Sequence, residues 1–398
     1  MDCKIPEIIN KLCYRREATR LSPIHTLLTM NMWEATHRSG HNMDSIVEFD
    51  SSKIGVKGLS DLGIQQVPHF FIQPPHTRPF QLPTHPQIPL VSFHDIQGSR
   101  RPQIIQQILQ ACQTWGFFQV VDHTVPVSVM KSILEAAGRF NREPIEDKMK
   151  YYSHDYNNAV KFAPSFNLHK QTAVDWKDAL RLTYAPGFPQ CHEWPATLRE
   201  ESIDFCKHMR DFGALVLTLL SEALNLAPDY LTETINCMDR QIMMMNFYPP
   251  CPQPDLTLGT SIHSDMGSIT VLLLDEVGGL QVKHNGDWVG VDPIHGAFVI
   301  NIGDQLEILS NGRFKSVEHR AVTNDVAERV SIPTFFSLLM ESHVKIGPIP
   351  HLLNSENPPH YKEIGVNEYA KYYMNNSDHS KSCLEIVRLK GRPLQSSV

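Results

Sequence analysis

No run of about 18 apolar residues occurs in the 398-residue chain, so no membrane-spanning helix is expected. An excess of basic residues is also missing. The formal charge is −7, which gives no electrostatic reason to expect nucleic acid or an anionic membrane as partner. Eight cysteines run from Cys3 to Cys383 without a Cys-x-x-Cys pair. That argues against a thiolate-bound structural zinc and a small disulfide scaffold, and makes reduced thiols in a cytoplasmic protein the simplest reading. No His-Glu-x-x-His helix is present, which weakens a zinc-hydrolase reading. No internal repeat is evident. The N-terminal stretch has no compact apolar segment followed by a small-residue cleavage site. Arg15, Arg16 and Arg20 hint at a transit peptide, but Glu7 and Glu17 argue against one. Met30 and Met32 are possible alternative starts.

What is present suits a globular enzyme-sized chain. The hydrophobic share is 41% and the charged share 20%, ordinary for a soluble protein able to bury a large core. Residues 46–63 read as a short helical segment broken by glycines. Prolines then cluster from Pro68 to Pro89, which makes that stretch an extended arm. A strand is expected at 88–93, a helix at 101–114, a buried strand at 115–121 and a helix at 126–140. The longest helix is expected over 198–226, where apolar residues recur near the 3.6 period and Pro228 stops it. From Gln241 to Leu339 the texture changes. Short β-type runs at 241–248, 269–274, 279–283, 287–291, 297–302, 316–323 and 328–339 are separated by turn pairs such as Asn285-Gly286. Many short strands indicate a sandwich or barrel, of which the jelly roll is one solution. Helical texture returns at 366–374. The expected division is an extension and arm (1–87), an N-terminal region (88–200), a long connecting helix (201–240), a β-rich core (241–342) and a helical tail (343–398).

Three fragments in the β-rich part fit one chemical task. His263 and Asp265 are two apart, so a strand would point both to one face. With His319 from a distant strand they make two imidazoles and one carboxylate, a set that suits iron(II) and leaves coordination positions open. Ten residues beyond His319, Arg329 and Ser331 are again two apart, and a guanidinium with a hydroxyl can hold an anionic co-substrate. Asn246 and Tyr248 repeat this spacing on an earlier strand. Each fragment alone has an ordinary explanation: a turn histidine capped by Asp265, a core-edge His319, an exposed Arg329 paired with Glu328 or Asp325, a packing tyrosine before Pro249-Pro250. One His-x-Asp triplet is expected by chance in a chain with 20 histidines. The order, the spacing and the β context shift the balance toward a metal site.

These residues sit in stretches that resemble the plant 2-oxoglutarate- and iron(II)-dependent dioxygenases: WGFFQVVDHTV (115–125), DWKDAL (175–180), NFYPPCPQPDLTLGTSIHSD (246–265), GGLQV (278–282), INIGDQLEILSNGRFKSVEHRAVTN (300–324) and ERVSIPTFF (328–336). The arm at 49–75 is similar to that of the subgroup labelled 1-aminocyclopropane-1-carboxylate oxidase homologues. The resemblance implies a mixed α/β fold with a double-stranded β-helix (jelly-roll) core flanked by helices. It implies iron(II) on His263, Asp265 and His319. It also implies 2-oxoglutarate with its far carboxylate on Arg329 and Ser331, assisted by Tyr248 and Asn246, with dioxygen as oxidant and ascorbate as reductant. Phe335, Phe336 and Phe166 are candidate walls of the substrate pocket, with the C-terminal helix near Tyr372 and Tyr373. The implied activity is hydroxylation or O-demethylation of a small specialised metabolite, with release of succinate and carbon dioxide, by a cytoplasmic monomer. The alternatives are an ascorbate-dependent oxidase that needs no 2-oxoglutarate, and an inactive binding protein on the same scaffold. One departure is the turn Asp122-His123-Thr124-Val125, where the family usually has Asn-His-Gly-Val. The first 45 residues have no clear counterpart.

Overall fold

The computed structural model describes residues 42–80, 87–155, 158–165, 168–169, 171–184, 189–341, 343–376 and 380–389. The expectations for residues 1–41, for the prolines at 83 and 86 and for Phe166 lie outside these. The expected segment at 46–63 is two helices, α1 (Asn42–Ser52) and α2 (Gly55–Asp61). They are split where Lys53 and Gly55 take positive φ. The chain continues through β1 (Leu90–Ser92), α3 (Arg101–Thr114), β2 (Phe117–Val121), α4 (Val127–Asn141), α5 (Ile145–Lys148), β3 (Val160–Ala163) and β4 (Asp178–Tyr184). The long α6 (Arg199–Ala223) leads to β5 (Arg240–Tyr248). Next come β6 (Thr260–His263), β7 (Ile269–Leu274), β8 (Leu280–His284), β9 (Asp287–Val291), β10 (Phe298–Ile302), α7 (Asp304–Leu309), β11 (His319–Ala321) and β12 (Arg329–Ser337). The tail holds a two-stranded pair, β13 (Lys345–Ile346) and β14 (Ile364–Gly365), then α8 (Val366–Asn375) and α9 (Ser380–Glu385).

Two sheets carry the architecture. The larger runs β1-β2-β10-β7-β12-β5-β4-β3 and the smaller β6-β11-β8-β9. Among the described residues only β1 and β2 pair in parallel; the other strand pairs are antiparallel. This is the jelly-roll core expected, flanked by helices. The N-terminal region supplies four strands of the larger sheet, so that sheet spans both halves of the chain.

The helices cover one face of the larger sheet. Buried residues of α6 (Phe205, Met209, Phe212, Val216, Leu220) join Met243, Met245, Val271, Leu273, Ile300 and Phe336 in one apolar cluster. Helix α6 ends where Asn225 takes a left-handed φ of 60°, a conformation asparagine tolerates. At the departing turn, Asp122 also sits in the left-handed region at φ 56° and accepts a hydrogen bond from Ser92 Oγ at 2.5 Å. Aspartate shares asparagine's tolerance of that region, so the change leaves the turn intact.

Strand alternation separates two phenylalanines that the sequence reading placed together. Phe335 faces the cavity between the sheets. Phe336 points the opposite way, 0% exposed, and lies so close to Gly213 of α6 that a Cβ there would meet its ring at 2.7 Å. The expectation that Phe336 lines the pocket is therefore corrected: neighbours on a strand cannot share a face. Phe336→Ala should cost about 3–5 kcal/mol of stability by opening a core cavity. Phe335→Ala should leave the denaturation midpoint nearly unchanged and alter substrate handling. Urea titrations of the two variants check the contrast.

Candidate metal and co-substrate centre

His263 and His319 are direct cross-strand partners on β6 and β11. Their ring centroids lie 4.2 Å apart. Each ring is aimed by its own backbone: Nδ1 of His263 bonds Ser261 O at 2.8 Å, and Nδ1 of His319 bonds Val317 O at 3.1 Å. A carbonyl only accepts, so both Nδ1 atoms carry a proton, which in a neutral ring puts the lone pairs on the two Nε2 atoms. They converge on Asp265 Oδ1, at 3.6 Å from His263 and 3.8 Å from His319. These three donor atoms all lie within 4.8 Å of one another. The separations suit ligands around one ion with bonds near 2.0–2.2 Å.

The carboxylate reaches this place by a different route from the one expected. Strand β6 stops at His263, so Asp265 sits in the loop beyond it and alternation does not orient it. That loop is pinned instead. Asp304 N donates to Asp265 O at 2.7 Å, and Tyr373 of α8 donates its hydroxyl to Ser264 O at 2.6 Å. Gly303 makes the contact possible, because a Cβ there would meet Gly267 O at 2.2 Å. The carboxylate is fixed through its other oxygen: Oδ2 accepts from Thr270 Oγ1 at 2.5 Å and Asn301 Nδ2 at 2.7 Å. Oδ1 is left facing the imidazoles.

Burial, with His319 alongside, holds the His263 imidazole well below its usual range, so it is neutral near pH 7. Burial alone would raise the Asp265 carboxyl. The two imidazoles and the donors Thr270 and Asn301 outweigh that and hold it below the carboxylate range. A neutral imidazole and an ionised carboxylate are the states in which these groups bind a metal.

Beside this cluster the larger sheet presents a polar row. Arg329 faces Tyr248 across β12 and β5, and Ser331 faces Asn246. Tyr248 Oη lies 3.2 Å from Ser331 Oγ and 3.1 Å from Thr260 Oγ1. Asn246 Nδ2 reaches Ser331 Oγ at 3.5 Å. The Arg329 guanidinium carbon lies 4.6 Å from the centroid of the Tyr248 ring. This arginine is only 2% exposed, and its Nε and Nη1 meet no protein acceptor among the described residues. Glu328, its expected partner in the ordinary reading, pairs with Arg142 instead. A buried cation without an acceptor is costly unless a ligand supplies one. The arrangement fits the carboxylate of 2-oxoglutarate, and the donor set fits iron(II).

One cavity is lined by His263, Asp265, His319, Arg329, Ser331, Tyr248, Asn246 and Phe335. Among the lining residues that sequence reasoning missed, four bear on the polar centre. Thr270 and Asn301, cross-strand partners, anchor the carboxylate. Lys177 lines the cavity beside Thr260, with Nζ to Oγ1 at 3.0 Å, and Thr260 in turn contacts Tyr248. Burial would raise the Tyr248 phenol, but the Arg329 and Lys177 cations prevail and lower it. Only DWKDAL carried a signal for Lys177, and it marked the stretch rather than the side chain. Tyr373, a candidate wall, belongs to the support of the Asp265 loop, and the cavity lining does not include Tyr372.

Gly259 offers a test that leaves every polar group in place. A Cβ there would meet the Tyr248 ring at 2.7 Å. Gly259→Ala should push that ring off Ser331 and Thr260 and raise the KM for 2-oxoglutarate by about tenfold, near 1.4 kcal/mol. Iron content should be unchanged. Initial-rate kinetics with metal analysis checks both.

Comparison with known proteins shows the family. Residues 240–338 match the 2OG-Fe(II) oxygenase superfamily, and residues 88–198 match the N-terminal region described as non-haem dioxygenase in morphine synthesis. A 1-aminocyclopropane-1-carboxylate oxidase homolog of Solanum lycopersicum is 39% identical over 352 residues, 87% of this chain and 97% of the relative. Homolog 6 of Arabidopsis thaliana is 40% identical over 348 residues, 86% and 96% of the two chains. Among solved structures, JOX2 in complex with 2OG, Fe and JA superposes with a TM-score of 0.76 at 31% identity, covering 84% of this chain and 97% of that one.

Proposed function

The chain belongs to the 2OG-Fe(II) oxygenase superfamily, and on that premise we propose that His263, Asp265 and His319 hold its iron while Arg329, Ser331, Tyr248 and Asn246 hold the far carboxylate of 2-oxoglutarate. The reading rests above all on one observation: three convergent ligand atoms share a cavity with a buried guanidinium that has two nitrogens unmatched among the described residues. Bound iron(II) supplies the redox chemistry that couples decarboxylation of 2-oxoglutarate by dioxygen to oxidation of the substrate, with succinate and carbon dioxide as products.

The protein's part is positioning. The backbone carbonyls at 261 and 317 keep the imidazoles in the ligating tautomer. Thr270 and Asn301 hold one carboxylate oxygen so that the other stays aimed. Arg329 offers two parallel donors to a carboxylate, and Ser331 with Tyr248 adds hydroxyl donors beside them. Met244, Leu272, Pro333 and Phe335 give the same cavity apolar walls that shield the reacting groups from water.

The substrate in this reading is a small plant metabolite, hydroxylated or, on an O-methyl group, demethylated with loss of formaldehyde. Its plant relatives support that class. Among the described residues no helix is long and apolar enough to cross a membrane; a cytoplasmic location is part of the proposal. A monomer is proposed, with ascorbate keeping the iron reduced. The test is succinate release with a panel of plant metabolites. Product formation should require both iron and 2-oxoglutarate. Turnover with ascorbate in place of 2-oxoglutarate would overturn the proposal.

A further inference from the structure

A second group of ligating side chains lies apart from the cavity, where the N-terminal arm meets the body. Asp50 of α1 projects its carboxylate between two histidines that flank β3 in sequence. His154 Nε2 lies 2.8 Å from Oδ1 and His169 Nε2 lies 2.9 Å from Oδ2. Tyr152 donates its hydroxyl to Oδ1 at 2.5 Å. Both imidazoles thus turn the same nitrogen to one carboxylate, and the three donor atoms lie within 4.8 Å of one another. None of these residues lines the first cavity.

We propose that Asp50, His154 and His169 form a second metal site, for a divalent transition ion of the zinc type, that clasps the N-terminal arm to the loops on either side of β3. The ligand chemistry selects the ion. Two imidazoles and one carboxylate suit zinc, cobalt or nickel, whereas calcium and magnesium take oxygen ligands. The geometry needs little adjustment. Bonds near 2.0–2.1 Å in a tetrahedral site set ligand atoms about 3.3 Å apart, so the present contacts open by roughly half an ångström. On binding, the ion takes the place of the protons that Nε2 now shares with the carboxylate, and those protons go to solvent. Tyr152 stays on Oδ1 as the group that orients the carboxylate, as outer partners of metal ligands do. The His169 side chain is 50% exposed, which leaves an entry path and a fourth position for water. The competing arrangement is a plain hydrogen-bonded latch, with Asp50 satisfied by three donors and no affinity for metal.

Titration of the metal-free full-length protein with zinc chloride, followed by calorimetry, separates the two. Two equivalents should bind to the unmodified chain. His169→Gln and, separately, His154→Gln should each remove one equivalent or weaken it at least tenfold, while iron- and 2-oxoglutarate-dependent succinate release persists. His263→Gln should remove the other equivalent and leave the arm site filled. Cobalt(II) absorption should show four-coordinate bands that vanish in His169→Gln but survive in His263→Gln. A single equivalent in the unmodified protein, or a second one unmoved by both histidine variants, would overturn the proposal. His169 is half-exposed and its replacement leaves the core untouched, so a folded variant is assured of a reading.

Discussion

Asp265→Ala is expected to lower 2-oxoglutarate-dependent turnover by at least about a thousandfold, equivalent to some 4 kcal/mol of transition-state stabilisation. The reason is the division of labour between its two oxygens. Oδ2 is bound to Thr270 and Asn301, so Oδ1 is the one atom that completes the set with His263 and His319. Alanine removes it, and no other carboxylate among the described residues lines the cavity to take its place. His263→Ala should act alike. The fold should survive both, because the strands are held by ladders that do not pass through these side chains, and the orphaned Thr270 and Asn301 cost only about 1–3 kcal/mol each. Asp265→Glu is the sharper variant: one added methylene keeps the charge and displaces the oxygen by about an ångström, enough to spoil a site whose supporting bonds are set for aspartate. Iron content, circular dichroism and succinate release measured together make the test. Activity retained in both Asp265→Ala and His263→Ala would end the assignment.

Why the sequence disclosed so much of this site, and not all of it, follows from how local each signal is. Helices α3, α4 and α6 and most core strands were legible because each buries one stripe, and the period of that stripe survives in the chain. Residues two apart on one strand, such as Arg329 with Ser331 and Asn246 with Tyr248, were legible because alternation fixes a common face. Strand β6 was not, since all four of its residues are half-buried and no apolar alternation marks it. The same short strand explains why Asp265 is placed by a loop rather than by strand geometry. Its true supports, Thr270, Asn301 and Tyr373, are distant in sequence and ordinary in type, so only the fold reveals them. Phe335 and Phe336 show the opposite failure: their adjacency in sequence suggested a shared role that a strand forbids.

Arg329→Met is the second large effect, and it should split function from stability. In the ligand-free protein the guanidinium is buried at 2% exposure, with Nε and Nη1 lacking acceptors among the described residues. Burying a charge in that state opposes folding, and stacking on Tyr248 offsets only part of the cost. A methionine of similar length should therefore keep or raise the thermal midpoint of the ligand-free protein. The co-substrate should respond in the reverse sense. Losing a bidentate, charge-assisted pair to a carboxylate is worth about 3–4 kcal/mol, a rise in the 2-oxoglutarate KM of roughly 10²- to 10³-fold. Because a ligand stabilises the state it binds, millimolar 2-oxoglutarate should lift the midpoint of the unmodified protein and leave Arg329→Met unmoved at the same concentration. Arg329→Lys should fall between, since an ammonium supplies the charge without the planar fork. If the methionine variant is instead much less stable and its 2-oxoglutarate requirement is unchanged, Arg329 is a structural residue, and the co-substrate carboxylate must be held elsewhere, with Lys177, another cation lining the cavity, the next candidate.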